Sequence, residues 1–383
     1  MLTAGENMSL NSKKRNPKVV LSGYYGFDNC GDEAVLYAIV HCLRELRPDI
    51  RIVVLSGNPL KTRELYAVEA VNRWNPIMVA FEILTSRLVL SGGGSLLQDV
   101  TSSKSLRYYI AIIRLATILK KKVMIYSQGI GPLNVEKNRV KVTKALNRCC
   151  EITVRDESSA RLLMELGVHH DTKVACDPVM ALRPDDVNAS GLKDVPLLAR
   201  LLGTLSERRK PLLMAAVRQW DDNRHIAPIA EFLDTQAKVG WDVLLVPAHY
   251  PNDMEAINKI TSLMTEPSNQ LDRCLTAREF LAISAHTDRV FSMRLHGLIC
   301  AMAAGTPMLG LSYDPKIDAF MEQAGLGRFC LPFDSFTSNA AELLLAEFDD
   351  LPPQAHQELE ARRHEMREMA WEPARKAIEL LSQ

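Results

Sequence analysis

The chain has 383 residues, more than one hydrophobic core usually supports, so two domains are expected. Apolar residues make up 47% and charged residues 24%, a balance that excludes wholesale disorder. The 46 Lys and Arg match 46 Asp and Glu; zero net charge argues against a nucleic-acid binder held by phosphate attraction, yet leaves room for a small anion gripped by a local Arg cluster.

Residues 1–17 are polar and basic, lack the apolar stretch of a secretory signal, and read as a disordered lead-in. From 18 to 185, aliphatic runs alternate with helical patterns: Val19–Ser22, Ile52–Leu55, Leu88–Ser91, Val123–Tyr126 and Ile152–Val154. Between the first two lies a helix, Glu33 to Leu46, with Leu36, Ile39, Leu43 and Leu46 on one face. Near-continuous apolar strands separated by amphipathic helices predict a parallel sheet covered on both faces. Asp185 to Lys210 reads as a linker rich in Pro, Asp, Gly and Lys. The alternation restarts with Leu212–Val217, Val243–Val246, Arg289–Ser292 and Met308–Ser312, forming a second domain over 186–365. Residues 366–383 belong to a final helix expected to pack back on the first domain. The fold class is thus α/β, with two doubly wound Rossmann-like domains facing a cleft.

No apolar run is long enough to span a membrane, because Glu82 and Arg87 interrupt the stretch Ile77 to Leu90. A cytoplasmic location is expected. The eight cysteines form no CxxC pair, so neither a metal site nor a disulfide framework is predicted; Cys149 and Cys150 adjoin on an apparent helix.

In open α/β sheets ligands lie beyond the carboxyl ends of the strands, so the candidates stand there. The first strand runs into Gly23-Tyr-Tyr-Gly-Phe-Asp-Asn-Cys-Gly-Asp-Glu33, where glycines permit a tight turn and the following helix favours an anion. Gly26, Asp28, Asn29 and Asp32 are candidates, against the alternative of an ordinary turn with Asp32 as the helix cap. In Ser91-Gly-Gly-Gly-Ser95, Gly93 and Gly94 imply close approach, by a ligand or by packed backbone. Gln128 and Arg155 stand at the next two strand ends, and a carboxylate partner is the commoner fate of such an Arg. Asp177-Pro178 is explained by a turn. Arg218 and His249 end strands of the second domain, where either could equally be surface decoration.

Arg294 and His296 carry more weight. If this segment is extended, alternate residues share a face, so a bidentate anion-binding fork and a proton-transfer group would point together. A buried helix starting near Gly297 would aim its dipole at the same spot. Lys316 follows at the next strand end, in Ser312-Tyr-Asp-Pro-Lys316.

The ordered set Gly23–Glu33, Ser91-Gly-Gly-Gly-Ser-Leu-Leu-Gln-Asp99, Ser127-Gln-Gly-Ile-Gly-Pro132, Val154-Arg-Asp156, Arg294-Leu-His-Gly297 and Ser312–Lys316 resembles the polysaccharide pyruvyl transferases, most closely their CsaB type. The resemblance implies a glycosyltransferase-B-like fold and transfer of a pyruvyl unit from phosphoenolpyruvate to a sugar, as a ketal. It further implies an N-acetylmannosamine acceptor in a lipid-linked cell-wall precursor. Arg155, Arg294 and His296 fall on its phosphoenolpyruvate-binding and catalytic positions, and Lys316 is added to the donor site. His296 is the expected acid, with Asp28 or Asp32 accepting the hydroxyl proton. Gly26, Asn29, Gly93, Gly94, Gln128, Arg218 and His249 are expected as acceptor or loop contacts, with no cofactor. A lipid-linked acceptor would need peripheral contact with the inner face of the membrane, and Leu106 to Lys122 is the candidate, against an ordinary crossover helix. The rival readings are a nucleotide-sugar glycosyltransferase of the same architecture and a non-catalytic binder of glycan intermediates.

Overall fold

The structure, a computed structural model, describes residues 16–100, 103–186, 192, 195–201 and 210–383. Residues 1–15 of the expected lead-in and most of the expected linker lie outside the described residues.

The first half forms a seven-stranded sheet, all of its pairings parallel. Its strands are β1 (Lys18–Ser22), β2 (Arg51–Ser56), β3 (Glu69–Asn72), β4 (Leu88–Gly92), β5 (Lys122–Gln128), β6 (Glu151–Val154) and β7 (Lys173–Val174), in the order β3-β2-β1-β4-β5-β6-β7. The connecting helices are α1 (Cys30–Leu46), α2 (Pro59–Tyr66), α3 (Pro76–Leu84), α4 (Ser103–Ile118), α5 (Glu136–Leu146) and α6 (Glu157–Glu165). A short helix, α7 (Pro196–Leu201), interrupts the expected linker. The second half is a six-stranded parallel sheet of β8 (Leu212–Ala216), β9 (Asp242–Leu245), β10 (Asn269–Gln270), β11 (Arg289–Ser292), β12 (Met308–Ser312) and β13 (Cys330–Pro332), ordered β10-β9-β8-β11-β12-β13. Its helices are α8 (Ile226–Lys238), α9 (Met254–Leu263), α10 (Ala277–Ala285), α11 (Leu295–Ala304), α12 (Pro315–Gln323) and α13 (Ser338–Asp349), followed by α14 (Pro353–Ser382). Two doubly wound parallel sheets make this the α/β fold expected.

Strand alternation divides the core of the first half. Val20, Val53, Val89, Val123 and Ile125 face one side, where α3, α4 and α5 bury Val79, Ile83, Leu106, Ile113, Val142 and Leu146. Val19, Leu21, Val54, Leu90 and Met124 face the other, where α1 lies. Helix α1 is buried nearly all round because α14, α10 and α11 also cover it. Helix α14 touches both halves: Arg362 donates to Gln323 O and Arg363 to Ala303 O, while Lys122 donates to Leu380 O from the first sheet.

Three local expectations change. Helix α1 begins at Cys30 with Asn29 as its cap, so Asp32 lies inside the first turn and is not the cap. Helix α5 ends at Leu146, which puts Cys149 and Cys150 in the turn to β6 rather than on a helix. The apolar face of α4, including Leu106, Tyr109, Ile110, Ile113 and Ala116, is packed on the sheet, as in an ordinary crossover helix, and Ile118 near its end is exposed. Among the described residues no helix is long and apolar enough to cross one.

Candidate active site

In both sheets the strand order reverses beside the first strand, between β1 and β4 and between β8 and β11. A crevice forms at such a switch point, beyond the carboxyl ends of the strands. The loop after β1, the glycines after β4 and the turn from β11 into α11 all lie at these ends, and the two halves meet there. Cys30 N donates to Ala248 O at 3.0 Å, and Asn29 pairs with His249 as an isolated antiparallel bridge.

Arg155 leaves β6 almost wholly buried. Its Nη2 donates to Ser95 Oγ at 2.9 Å, its Nε lies 3.4 Å from Asp156, and its Nη1 lies 3.6 Å from Asp177 Oδ2. Gly129 makes room for it, since a Cβ there would stand 2.8 Å from the guanidinium. Asp177, 2% exposed, caps the short 3-10 turn Pro178–Ala181 through Oδ1. Its Oδ2 accepts no hydrogen bond, and neither does His296 Nε2, 3.8 Å away in the second half, make one. One carboxylate therefore stands between an Arg of the first half and a His of the second. Its other face borders a small cavity that Arg155, Asp156, Leu295, Lys316 and Gln323 also line. The turn reading of Asp-Pro was correct, but half of the side chain has a second orientation that local turn chemistry cannot reveal.

His296 and Arg294 reach the site differently from the expectation. The chain is not extended here: α11 begins at Leu295, Arg294 occupies the cap position, and His296 sits in the first turn. The two side chains separate. Arg294 turns its fork onto Asp253, with Nε 3.1 Å from Oδ2 and Nη2 bonded to Oδ1. Asp253 is fully buried and also accepts the backbone N–H groups of Ala248 and His249, so it fixes the loop after β9. In this arrangement the bidentate face of Arg294 is taken up by Asp253. His296 instead packs on Gly31, where a Cβ would stand 2.2 Å from Nδ1. No side chain caps the first turn of α11. Its amide groups keep their affinity for an anion.

Burial pushes His296 down to about 4, with Asp177 opposing and Arg155, Lys316 and Arg294 reinforcing the shift. This shift favours the uncharged imidazole at neutral pH, a form that accepts a proton, whereas the expectation was of an acid. Asp32 moves the other way, up to about 7, through burial and the neighbouring Glu33, partly offset by Arg155 and Lys316. Of the two, Asp32 is the group that holds a proton more readily near neutral pH.

The remaining candidates divide. Lys316, at the start of α12, is half-exposed, pairs with Asp314 at 2.8 Å and lines the same cavity as Arg155. Gly94 (φ +72) lies against Asp32, with Oδ1 2.8 Å from its ideal Cβ. Gly93 (φ +37) is there for packing, because a Cβ would meet Val35 of α1 at 1.9 Å. Gln128 is wholly buried and donates to Ser91 Oγ, which removes it from the acceptor contacts. Asp28 (φ +57) holds Lys61 at 2.6 Å and is not grouped with Asp32. With Gly26, Glu33, Tyr66, Arg273 and Thr276 it lines a separate cavity of about 260 Å³, so its expected catalytic role has no geometric support. Arg218 lies against the rings of Trp220 and Tyr313, which pack on each other, and donates to the Tyr313 hydroxyl. The His249 ring touches Asn252, and burial with the nearby Arg294 holds its pKa below the usual value.

Among solved structures, this chain is similar to a glycosyltransferase from Rickettsia africae (13% identity, 96% of this chain and 98% of that one, TM-score 0.60). It is also similar to HepE from Anabaena in complex with UDP-glucose (15%, 95% and 99%, TM-score 0.59). A third is the UDP-GlcNAc 2-epimerase of Neisseria meningitidis bound to UDP-GlcNAc (12%, 95% and 99%, TM-score 0.58). At such identities the likeness shows the fold alone, a glycosyltransferase-B-like one. No curated protein matches the sequence. Residues 29–315, which include Asp32, Arg155, Asp177 and His296, match the polysaccharide pyruvyl transferases, and the chain belongs to that family of transferases.

Proposed function

We propose that this transferase moves the pyruvyl unit of phosphoenolpyruvate onto a sugar as a cyclic ketal, releasing phosphate. The acceptor in this reading is an N-acetylmannosamine residue of a lipid-linked cell-wall precursor, met at the cytoplasmic face of the membrane, as in the CsaB type. The observation that carries it is the meeting of Arg155, Lys316 and the uncapped start of α11 around one cavity, beside Asp177 and His296. A ligand with both a carboxylate and a phosphate needs separate cationic anchors, and these come from opposite halves.

The proton inventory suits the chemistry. Protonated Asp32 gives its proton to the methylene carbon, which becomes the methyl group and leaves C2 electrophilic. A sugar hydroxyl attacks C2, and neutral His296 takes its proton, with Asp177 stabilising the imidazolium formed. A second hydroxyl then displaces phosphate from C2. Its proton restores Asp32, and His296 returns its own to the departing phosphate, so the protein ends as it began.

Thermal stabilisation by phosphoenolpyruvate but not by UDP-sugars, together with phosphate release on adding an N-acetylmannosamine-bearing lipid analogue, is the expected result. Stabilisation by a UDP-sugar alone would overturn the reading in favour of glycosyl transfer.

A further inference from the structure

On the side of the first sheet away from α1, the outer surface combines two features. Helix α3 buries Val79 and Ile83 but leaves Ile77 78% exposed, Phe81 55% and Leu84 53%, with Met78 beside them. At helical spacing these residues form one face, and Trp74, 64% exposed just before the helix, extends it. Trp74 packs on Tyr108, 5.4 Å between ring centroids, which joins this face to the start of α4. The only acid of α3, Glu82, is turned inward onto Lys18 at 2.6 Å.

The second feature is charge. Residues 103–150 contain eleven Lys and Arg against one acid, Glu136, in a chain whose net charge is zero. Arg114 and Lys120 beside Ile118, and Lys137, Lys141 and Lys144 beside Val140, are exposed. Helices α3, α4 and α5 lie side by side on one face of the sheet, so the apolar stripe is flanked by a basic one.

We propose that this α3–α4–α5 surface docks on an anionic phospholipid bilayer, with Trp74, Ile77, Phe81 and Leu84 entering the headgroup–acyl boundary and the lysines facing lipid phosphates. An apolar face with aromatic residues bordered by single-sign positive charge is the pattern of an interfacial anchor. A second copy of this chain fits less well, because a two-fold contact through the stripe would bring two basic flanks together. The strip begins at Trp74, directly after the carboxyl end of β3, and therefore at the level of the cleft. The proposal rests on the lipid-linked acceptor above for its purpose, and supplies the surface that such an acceptor requires.

The test is cosedimentation with phosphatidylcholine vesicles with and without phosphatidylglycerol, in the absence of donor and acceptor. Binding to the anionic vesicles alone, weakened by salt, is expected. The double substitution Ile77→Asp/Phe81→Asp should lower the partition at least tenfold or so, and Lys137→Glu/Lys141→Glu/Lys144→Glu by roughly fivefold per charge lost. Leu343→Asp, at an exposed leucine of α13, serves as the control and should bind as the parent does. Failure of the parent protein to sediment with anionic vesicles would overturn the proposal. So would a dimer in velocity sedimentation that Ile77→Asp/Phe81→Asp makes monomeric. Transfer to a short lipid-free acceptor separates the two readings: vesicle binding without transfer leaves the surface standing and sinks the reaction, and transfer without vesicle binding does the reverse.

Discussion

Replacing Asp32 by Asn should make the protein more stable and less active at once. A carboxyl whose folded-state pKa lies above its unfolded value stabilises the fold while protonated, and that contribution is lost as pH rises through the folded value. For Asp32 the change from 3.8 to about 7 corresponds to ~4 kcal/mol. The contribution is complete below about pH 4 and gone above about pH 7. Asp32→Asn removes the half-buried charge without changing the shape of the side chain. Denaturant titrations at pH 5 and pH 8 should thus show up to ~4 kcal/mol more stability for Asp32→Asn at pH 8, shrinking toward zero as pH falls to 4. Pyruvyl transfer should fall by about 10²–10⁴, the usual worth of a positioned acid. Equal stability of the two proteins at pH 8, or parallel stability profiles across this range, would refute the argument that Asp32 is held protonated by burial.

Asp177→Asn should lower kcat by about 10² while leaving the secondary structure intact, because the imidazolium formed on His296 loses its neighbouring charge; unchanged kcat in a phosphate-release assay would remove Asp177 from the site. Gly31→Ala places a methyl group 2.2 Å from His296 Nδ1, so activity should drop although helix propensity improves by about 0.5–1 kcal/mol. A thermal melt beside the activity assay separates those effects. Asp253→Ala leaves Arg294 half-buried without its partner and two backbone N–H groups unpaired, and should cost about 3–5 kcal/mol in a urea titration. A loss below 1 kcal/mol would return Arg294 to the list of groups free to bind the donor.

The sheets were legible for a physical reason. The nine inner strands are covered on both faces and read as unbroken apolar runs, whereas the four that escaped notice, β3, β7, β10 and β13, are two to four residues long and sit at sheet edges. The site was legible only in part. Arg155 and His296 announced themselves by standing at strand ends, and both line the meeting of the halves. Alternation misled at Arg294 because the helix starts one residue later, and a helix turns neighbouring side chains apart. Asp253 lies 41 residues before its partner with no local signal. The opposite pKa shifts of Asp32 and His296 come from burial, which spacing along the chain does not encode.

Helix α14 has a consequence for the order in which the molecule is assembled. Its buried residues Met366, Ala370, Ala374, Ala377 and Leu381 cover α1 and the β4–β5 side of the first sheet, yet they are synthesised after the whole second half. During translation the first half therefore emerges early with one flank bare, and its apolar covering follows only after the second half. A ribosome-bound chain stalled before Pro353 should be more susceptible to protease and chaperone capture in the first half than the finished protein, even though every strand of that half has already been made.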